Sequence, residues 1–195
     1  GPDYFGRTGD LAFCLTPEGG QLPEQCPPDA LYGQPPSRII DLFNHWPNDD
    51  ALNPATYPQV FDDYAGLTER VCDVHWWGFE LQDAVNMNAP CVRALDTFEV
   101  TFWPDNAGAP GPTPTCTYDV IPNKTDTGFR YGTGNWPLYR YDVLLPSCCN
   151  LPAGWISIRG TGSTGCFFSW IDSLAGNGQL AIWNKAGGGY YEIEP

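Results

Sequence analysis

The chain has 195 residues, 42% hydrophobic and 14% aromatic, with 22 Gly and 20 Pro spread along it. That aromatic content excludes an intrinsically disordered chain, and the lack of a Gly period excludes collagen. Nine Lys and Arg against 23 Asp and Glu give a net charge of −14, which repels phosphate backbones and anionic bilayers and sets aside nucleic-acid partners.

Residues 1–56 are rich in proline and carry Cys14 and Cys26. They read as an irregular N-terminal extension pinned by a disulfide. The chain opens on Gly1-Pro2 with no charged-then-apolar leader, which reads as a processed mature form or a trimmed chain, with Gly1-Pro2 carrying no weight. Residues 37–43 are the first strand or short-helix candidate, and a polar stretch with Pro47, Pro54 and Pro58 follows.

From residue 57 the pattern changes, and 57–195 reads as one β-sandwich domain. Residues 69–79 form a long strand candidate. Residues 97–103 alternate, with Phe98, Val100 and Phe102 on one face and Thr97, Glu99 and Thr101 on the other, the mark of a strand buried on one side. The run ends in Pro104-Asp105-Asn106-Ala107-Gly108, a strong turn signal. Further strands are expected at 115–121, 139–145, 155–159, 166–171, 179–183 and 190–193. Short strands separated by Gly and Pro turns predict an all-β antiparallel sandwich. No apolar run approaches the ~20 residues a membrane helix needs, so no membrane insertion is expected.

The eight cysteines are Cys14, Cys26, Cys72, Cys91, Cys116, Cys148, Cys149 and Cys166. The count is even and no C-x-x-C pair occurs, so zinc is disfavoured and four disulfides in an oxidising compartment are expected. Spacing favours Cys14–Cys26 and Cys72–Cys91 as local loops, with Cys116 and Cys166 taking Cys148 and Cys149 in either order. The sequon Asn123-Lys124-Thr125 fits a secreted or cell-surface chain.

Catalytic signals are thin. The histidines are His45 and His75, and the nearest string to a Gly-x-Ser-x-Gly elbow is Thr161-Gly162-Ser163-Thr164-Gly165, which breaks the pattern. Glu80 and Glu99 on neighbouring strands would be a glycosidase-like pair, although any sandwich offers such pairs. No catalytic residue is assigned and no enzyme activity is expected. For metal, Asp105 with Asn106, or Asp62 with Asp63, could hold a structural calcium ion. Against this, Asp105-Asn106 could simply make an Asx turn. No other cofactor is expected.

Two readings of function remain. Trp46, Trp103, Trp136, Tyr139, Tyr190 and Tyr191 lie near turns or at polar-face positions, and exposed rings of this kind form carbohydrate-binding platforms. The other reading starts from lysine. Only Lys124 and Lys185 occur, whereas soluble β proteins commonly guard their edge strands with lysine. Scarce edge protection, disulfides and an N-terminal arm suit a subunit that adds strands to a neighbouring copy. The partners are then the protein itself, as a homo-oligomer or polymer, or extracellular glycans.

A resemblance favours the structural reading. Asp62-Asp63-Tyr64 precedes Trp76-Trp77-Gly78, then Phe98 to Phe102 with an Asp105 to Gly111 turn. Tyr141 to Pro146, Gly154-Trp155-Ile156-Ser157-Ile158 and Phe167-Phe168-Ser169-Trp170 follow in order. From Phe61 to Trp183 this resembles a family of secreted bacterial β-sandwich domains found in large cell-surface and exported proteins. The resemblance implies a jelly-roll-like sandwich outside the cell, with no catalytic activity and no established ligand. The cysteines and the Pro-rich first 56 residues depart from that pattern. The expectation is a secreted, non-catalytic surface or matrix protein acting by adhesion or self-assembly.

Overall fold

The structure is a computed structural model. It describes residues 10–16, 26, 30–37, 45–50, 59–82, 89–132, 134–162, 165–184 and 190–194, with the backbone alone for 183–184 and 190–194. In chain order the strands are β1 (Asp10–Leu11), β2 (Phe13–Thr16), β3 (Tyr32–Gln34), β4 (His45–Pro47), β5 (Gln59–Tyr64), β6 (Val71–Gln82) and β7 (Thr97–Trp103). They continue as β8 (Cys116–Val120), β9 (Asn123–Tyr131), β10 (Trp136–Cys149), β11 (Gly154–Thr161), β12 (Cys166–Ser173), β13 (Leu180–Asn184) and β14 (Tyr190–Glu194). Among the described residues there is no helix, and no helix is long and apolar enough to cross a membrane. The chain is all-β.

The strands form two antiparallel sheets. The smaller runs β14-β13-β5-β11-β7-β8. The larger runs β1-β12-β6-β10-β9, with β2 pairing β6 and β3, and β4 pairing β12. Alternation decides which face is buried. Phe98, Val100 and Phe102 of β7, with Ile156 and Ile158 of β11, join Val74, Trp76, Tyr141 and Trp170 of the larger sheet in one core. Trp76 meets Phe98 edge-on at 5.2 Å across the two layers, and Phe98 in turn packs 5.1 Å from Tyr141 and from Phe168. The sheets therefore pack face to face as a sandwich. The opposite face of the larger sheet is covered too. Trp77, Phe79, Leu81, Phe167 and Ile171 form a second cluster there, with Cys26, Ala30 and Trp136 packed against it. Burial on both faces explains why the apolar string of β6 is nearly continuous rather than alternating.

The segment expected to be irregular is partly strand. Residues 10–16 enter a fork where β6 and β12 part beyond the Trp170–Gly78 pair. Asp10 and Leu11 pair with Ser173 and Asp172 of β12, and residues 13–16 pair with 76–73 of β6. Ala12 sits at the apex. Its N–H donates to Ile171 O at 2.9 Å, and its carbonyl accepts from Trp170 Nε1 at 2.8 Å. Residues 11–15 are fully buried. Residues 38–44, most of the 37–43 candidate, lie outside the described residues.

All eight cysteines are paired, as Cys14–Cys26, Cys72–Cys148, Cys91–Cys166 and Cys116–Cys149. The expected Cys72–Cys91 loop is corrected, and Cys166 takes neither Cys148 nor Cys149. The pairing follows strand neighbourhood rather than sequence distance. Cys72 lies on β6 beside β10, which carries Cys148. Cys116 on β8 reaches Cys149 on β10 and so ties the two sheets together. Loops of 75 and 76 residues each restrict the unfolded chain by about 4–5 kcal/mol in the chain-entropy account.

Candidate metal centre

Three carboxylates converge where the N-terminal strand meets the smaller sheet. Asp10 of β1 and Asp62 and Asp63 of β5 each offer one oxygen, and those oxygens all lie within 4.8 Å of one another. The local sequence explains the placement. Val60, Asp62 and Tyr64 alternate along β5, and Val60 and Tyr64 belong to the core between the sheets. Asp62 therefore points inward and is completely buried, while Asp63 is half-buried. Asp10 is buried as well, held by the pairing of β1 with β12.

Hydrogen bonds satisfy only part of this charge. Asp62 Oδ2 accepts from Leu11 N. The Gln34 amide, oriented for hydrogen bonding, donates to Asp62 Oδ2 at 3.1 Å and to Leu11 O at 2.8 Å, and accepts from Tyr32 OH at 2.6 Å. Asp10 accepts the Gly178 N–H at 2.9 Å, and Asp63 Oδ2 accepts from Asn177 Nδ2 at 2.8 Å. Oδ1 of Asp62 and Oδ1 of Asp63 are buried with no hydrogen-bond partner among the described residues. An unsatisfied buried acceptor costs about 1–3 kcal/mol. Gly176 lies against Asp10 in a left-handed conformation (φ 110°), where a Cβ would collide with the Asp10 carboxylate. Burial raises the pKa of all three acids, that of Asp62 well above the usual carboxylate range. The Asp10 charge pushes Asp62 up further, while the Gly178 N–H partly offsets the rise at Asp10 and the Asn177 amide that at Asp63. Oxygen donors with no nitrogen or sulfur ligand are the chemistry of a hard cation.

The sequence singled out Asp62 and Asp63 and missed Asp10, which lies in the segment read as irregular. The one legible sign was an aspartate at an inward-facing position between Val60 and Tyr64. The other metal candidate is already engaged. Asp105 Oδ1 accepts from Trp155 Nε1 at 3.0 Å and Oδ2 from Gly108 N at 3.3 Å, with Ala107 and Gly108 at positive φ. Asp105 thus closes a turn, and Asn106 is exposed beside it.

Glu80 and Glu99 do not form a pair, since β6 and β7 belong to different sheets. Glu80 instead accepts from Lys124 Nζ (2.8 Å), Tyr141 OH (3.0 Å) and Arg93 N (2.9 Å). His75 is buried against Asp142 and Arg140. His45 Nδ1 lies 3.0 Å from Ser169 Oγ, but Ser169 is completely buried in mid-strand.

The six platform candidates scatter. Trp46 is buried at 5% exposure and packs in the core between the sheets, so it offers no open face. Trp103 is half-buried edge-on to Phe61, Trp136 is half-buried against His45 and Phe79, and Tyr139 lies under Lys124 with Nζ 5.1 Å from its ring. Tyr190 and Tyr191 lie on β14, and their side chains are outside the described residues. The large apolar side chains that do stand out are aliphatic: Val92, Leu95, Ile121, Leu144 and Leu174.

Fold and cysteine pairing together define a disulfide-bonded, two-sheet antiparallel β-sandwich protein. No family model matches the chain, and no curated protein or solved structure is significantly similar to it.

Proposed function

We propose that the protein is a non-catalytic structural subunit of the cell exterior that acts by adhesion or self-assembly through its N-terminal strand. One observation carries the reading: residues 10–16 complete the larger sheet by main-chain bonds to β12, β6 and β3. A segment that fills its own fork can fill the same fork in a second copy. Covalent connectivity permits the exchange. Cys14–Cys26 closes the N-terminal unit on itself, and the other three disulfides lie wholly within residues 72–166. No disulfide need break for the unit to move. Four disulfides support an oxidising, extracellular setting. The sugar-platform alternative is weakened because no described Trp or Tyr is exposed.

The test is light scattering and negative-stain microscopy of non-reduced protein from micromolar to millimolar concentration. Ordered oligomers that grow with concentration are expected, and they should persist in non-reducing conditions. A strict monomer throughout the range overturns the proposal.

A further inference from the structure

We infer that Asp10, Asp62 and Asp63 form a binding site for a hard divalent cation of the calcium class, one that clamps the N-terminal strand to β5. Asp10 comes from the strand in the fork, whereas Asp62 and Asp63 come from the opposite sheet. The inference is independent of the assembly reading, and its test reads cation binding alone.

The acidic cluster is not the whole argument. Asp62 is 0% exposed, yet its Oδ1 has no hydrogen-bond partner among the described residues, and neither does Asp63 Oδ1. A buried carboxylate is normally paired or coordinated. No described Lys, Arg or His forms an ion pair with any of the three acids, and a bound cation would supply the missing counter-charge. Ligand number and hydration favour calcium. Calcium takes about six to eight oxygen ligands at flexible geometry, whereas magnesium demands near-ideal octahedral geometry and keeps most of its water. Zinc is disfavoured by the donor type, since structural zinc sites are built on Cys and His and neither belongs to the group.

Protein stripped with a chelator is titrated with CaCl₂ at pH 7.5 by calorimetry, and thermal unfolding is followed in parallel. One ion per chain is expected, with a rise in Tm of about 5–10 °C at a hundredfold excess over Kd. MgCl₂ is expected to bind at least about tenfold more weakly. Absence of both heat and Tm change with CaCl₂ overturns the site, and magnesium binding as tight as calcium overturns the calcium assignment. Asp62→Asn keeps the side-chain volume and removes a buried charge, so a folded variant with at least about tenfold weaker calcium binding is expected. Asp63→Asn is the second variant should Asp62→Asn fail to fold. Calcium affinity unchanged in a folded variant of either kind overturns the placement.

Discussion

Two clusters of buried charge in this sandwich are built on opposite principles. Around Glu80, the protein supplies its own counter-charges. Lys124 bridges Glu80 and Asp96, and Arg93 pairs with Asp49 at 3.0 Å with both side chains fully buried. Arg93 also donates to Thr161 O and lies over the Phe98 ring, and Asp49 Oδ2 accepts from Phe168 N. Even Gly160 is adapted to this, since a Cβ there would strike the Arg93–Asp49 pair. Around Asp62, three acids meet with no described cation beside them. A buried charge is tolerated when its partner is folded in with it. When the partner is left out, the site waits for an ion or a proton.

Breaking the self-contained cluster has the largest effect. Arg93→Ala takes the guanidinium counter-charge away from buried Asp49, and a loss of about 3–5 kcal/mol is expected in denaturant unfolding. Lys124→Met is milder because Lys124 is partly exposed and Glu80 keeps its bonds from Tyr141 and Arg93 N. A loss of about 1–2 kcal/mol is expected. That variant also turns the first cluster into a likeness of the second. Burial already raises the Glu80 pKa, with the Lys124 bond pulling it back down, so removing Lys124 lets it climb. The variant's stability then falls as pH rises toward neutrality, beyond any slope of the wild type. An unchanged pH profile in Lys124→Met breaks the comparison.

Much of the fold was legible in the sequence because alternation and turn chemistry are local. The inward set Phe98, Val100 and Phe102 is buried as read, and β10 to β13 fall on expected segments with ends shifted. Strand β9 was not foreseen. Its Lys-Thr-Asp-Thr-Gly sequence is polar because, among the described residues, the strand pairs only with β10 and stays largely exposed, so no apolar alternation marks it. Strands β1 and β2 are too short for a pattern and owe their order to the fork. The acidic trio was two-thirds legible. Asp62 and Asp63 are adjacent, but Asp10 joins them through topology, which no spacing rule encodes. The cysteine pairs failed for the same reason wherever the partners lie on distant strands.

The acid trio itself predicts an inverted pH profile. Each of its three carboxyls has a folded pKa above the ordinary value, so the folded state holds more protons than the unfolded one between that value and the raised one. Stability then falls as pH rises through this window. Among the described residues, Asp105 and Tyr32 also act on the trio. Tyr32 is pushed up to about 12 by burial, so it stays neutral throughout. Chelator-stripped protein is expected to gain in Tm as pH is lowered from 7 toward the ordinary carboxylate range. Saturating CaCl₂ should flatten that slope, since the ion takes the place of the protons. A cation-free Tm that is flat or falls toward pH 5 contradicts the trio's raised pKa values.

The smallest effect belongs to an ion pair on the open edge of β9. Arg130 grips Asp126 through two 2.8 Å contacts, geometry as good as that of Arg93–Asp49, but with 36% and 43% of the side chains exposed. Water already solvates both charges, so Arg130→Ala should change stability by only about 0.3 kcal/mol. Its pH signature has the opposite sign to the trio's. The Arg130 hydrogen bond lowers the Asp126 pKa, so whatever the pair contributes is present near neutrality and is lost only as pH falls through that lowered value. Between pH 5 and 7 the pair is silent, whereas the trio's raised values make its contribution fall as pH rises. A comparison of Arg130→Ala with wild type across that interval should therefore give parallel curves, and a divergence there would mean that burial is not what separates the two kinds of charge.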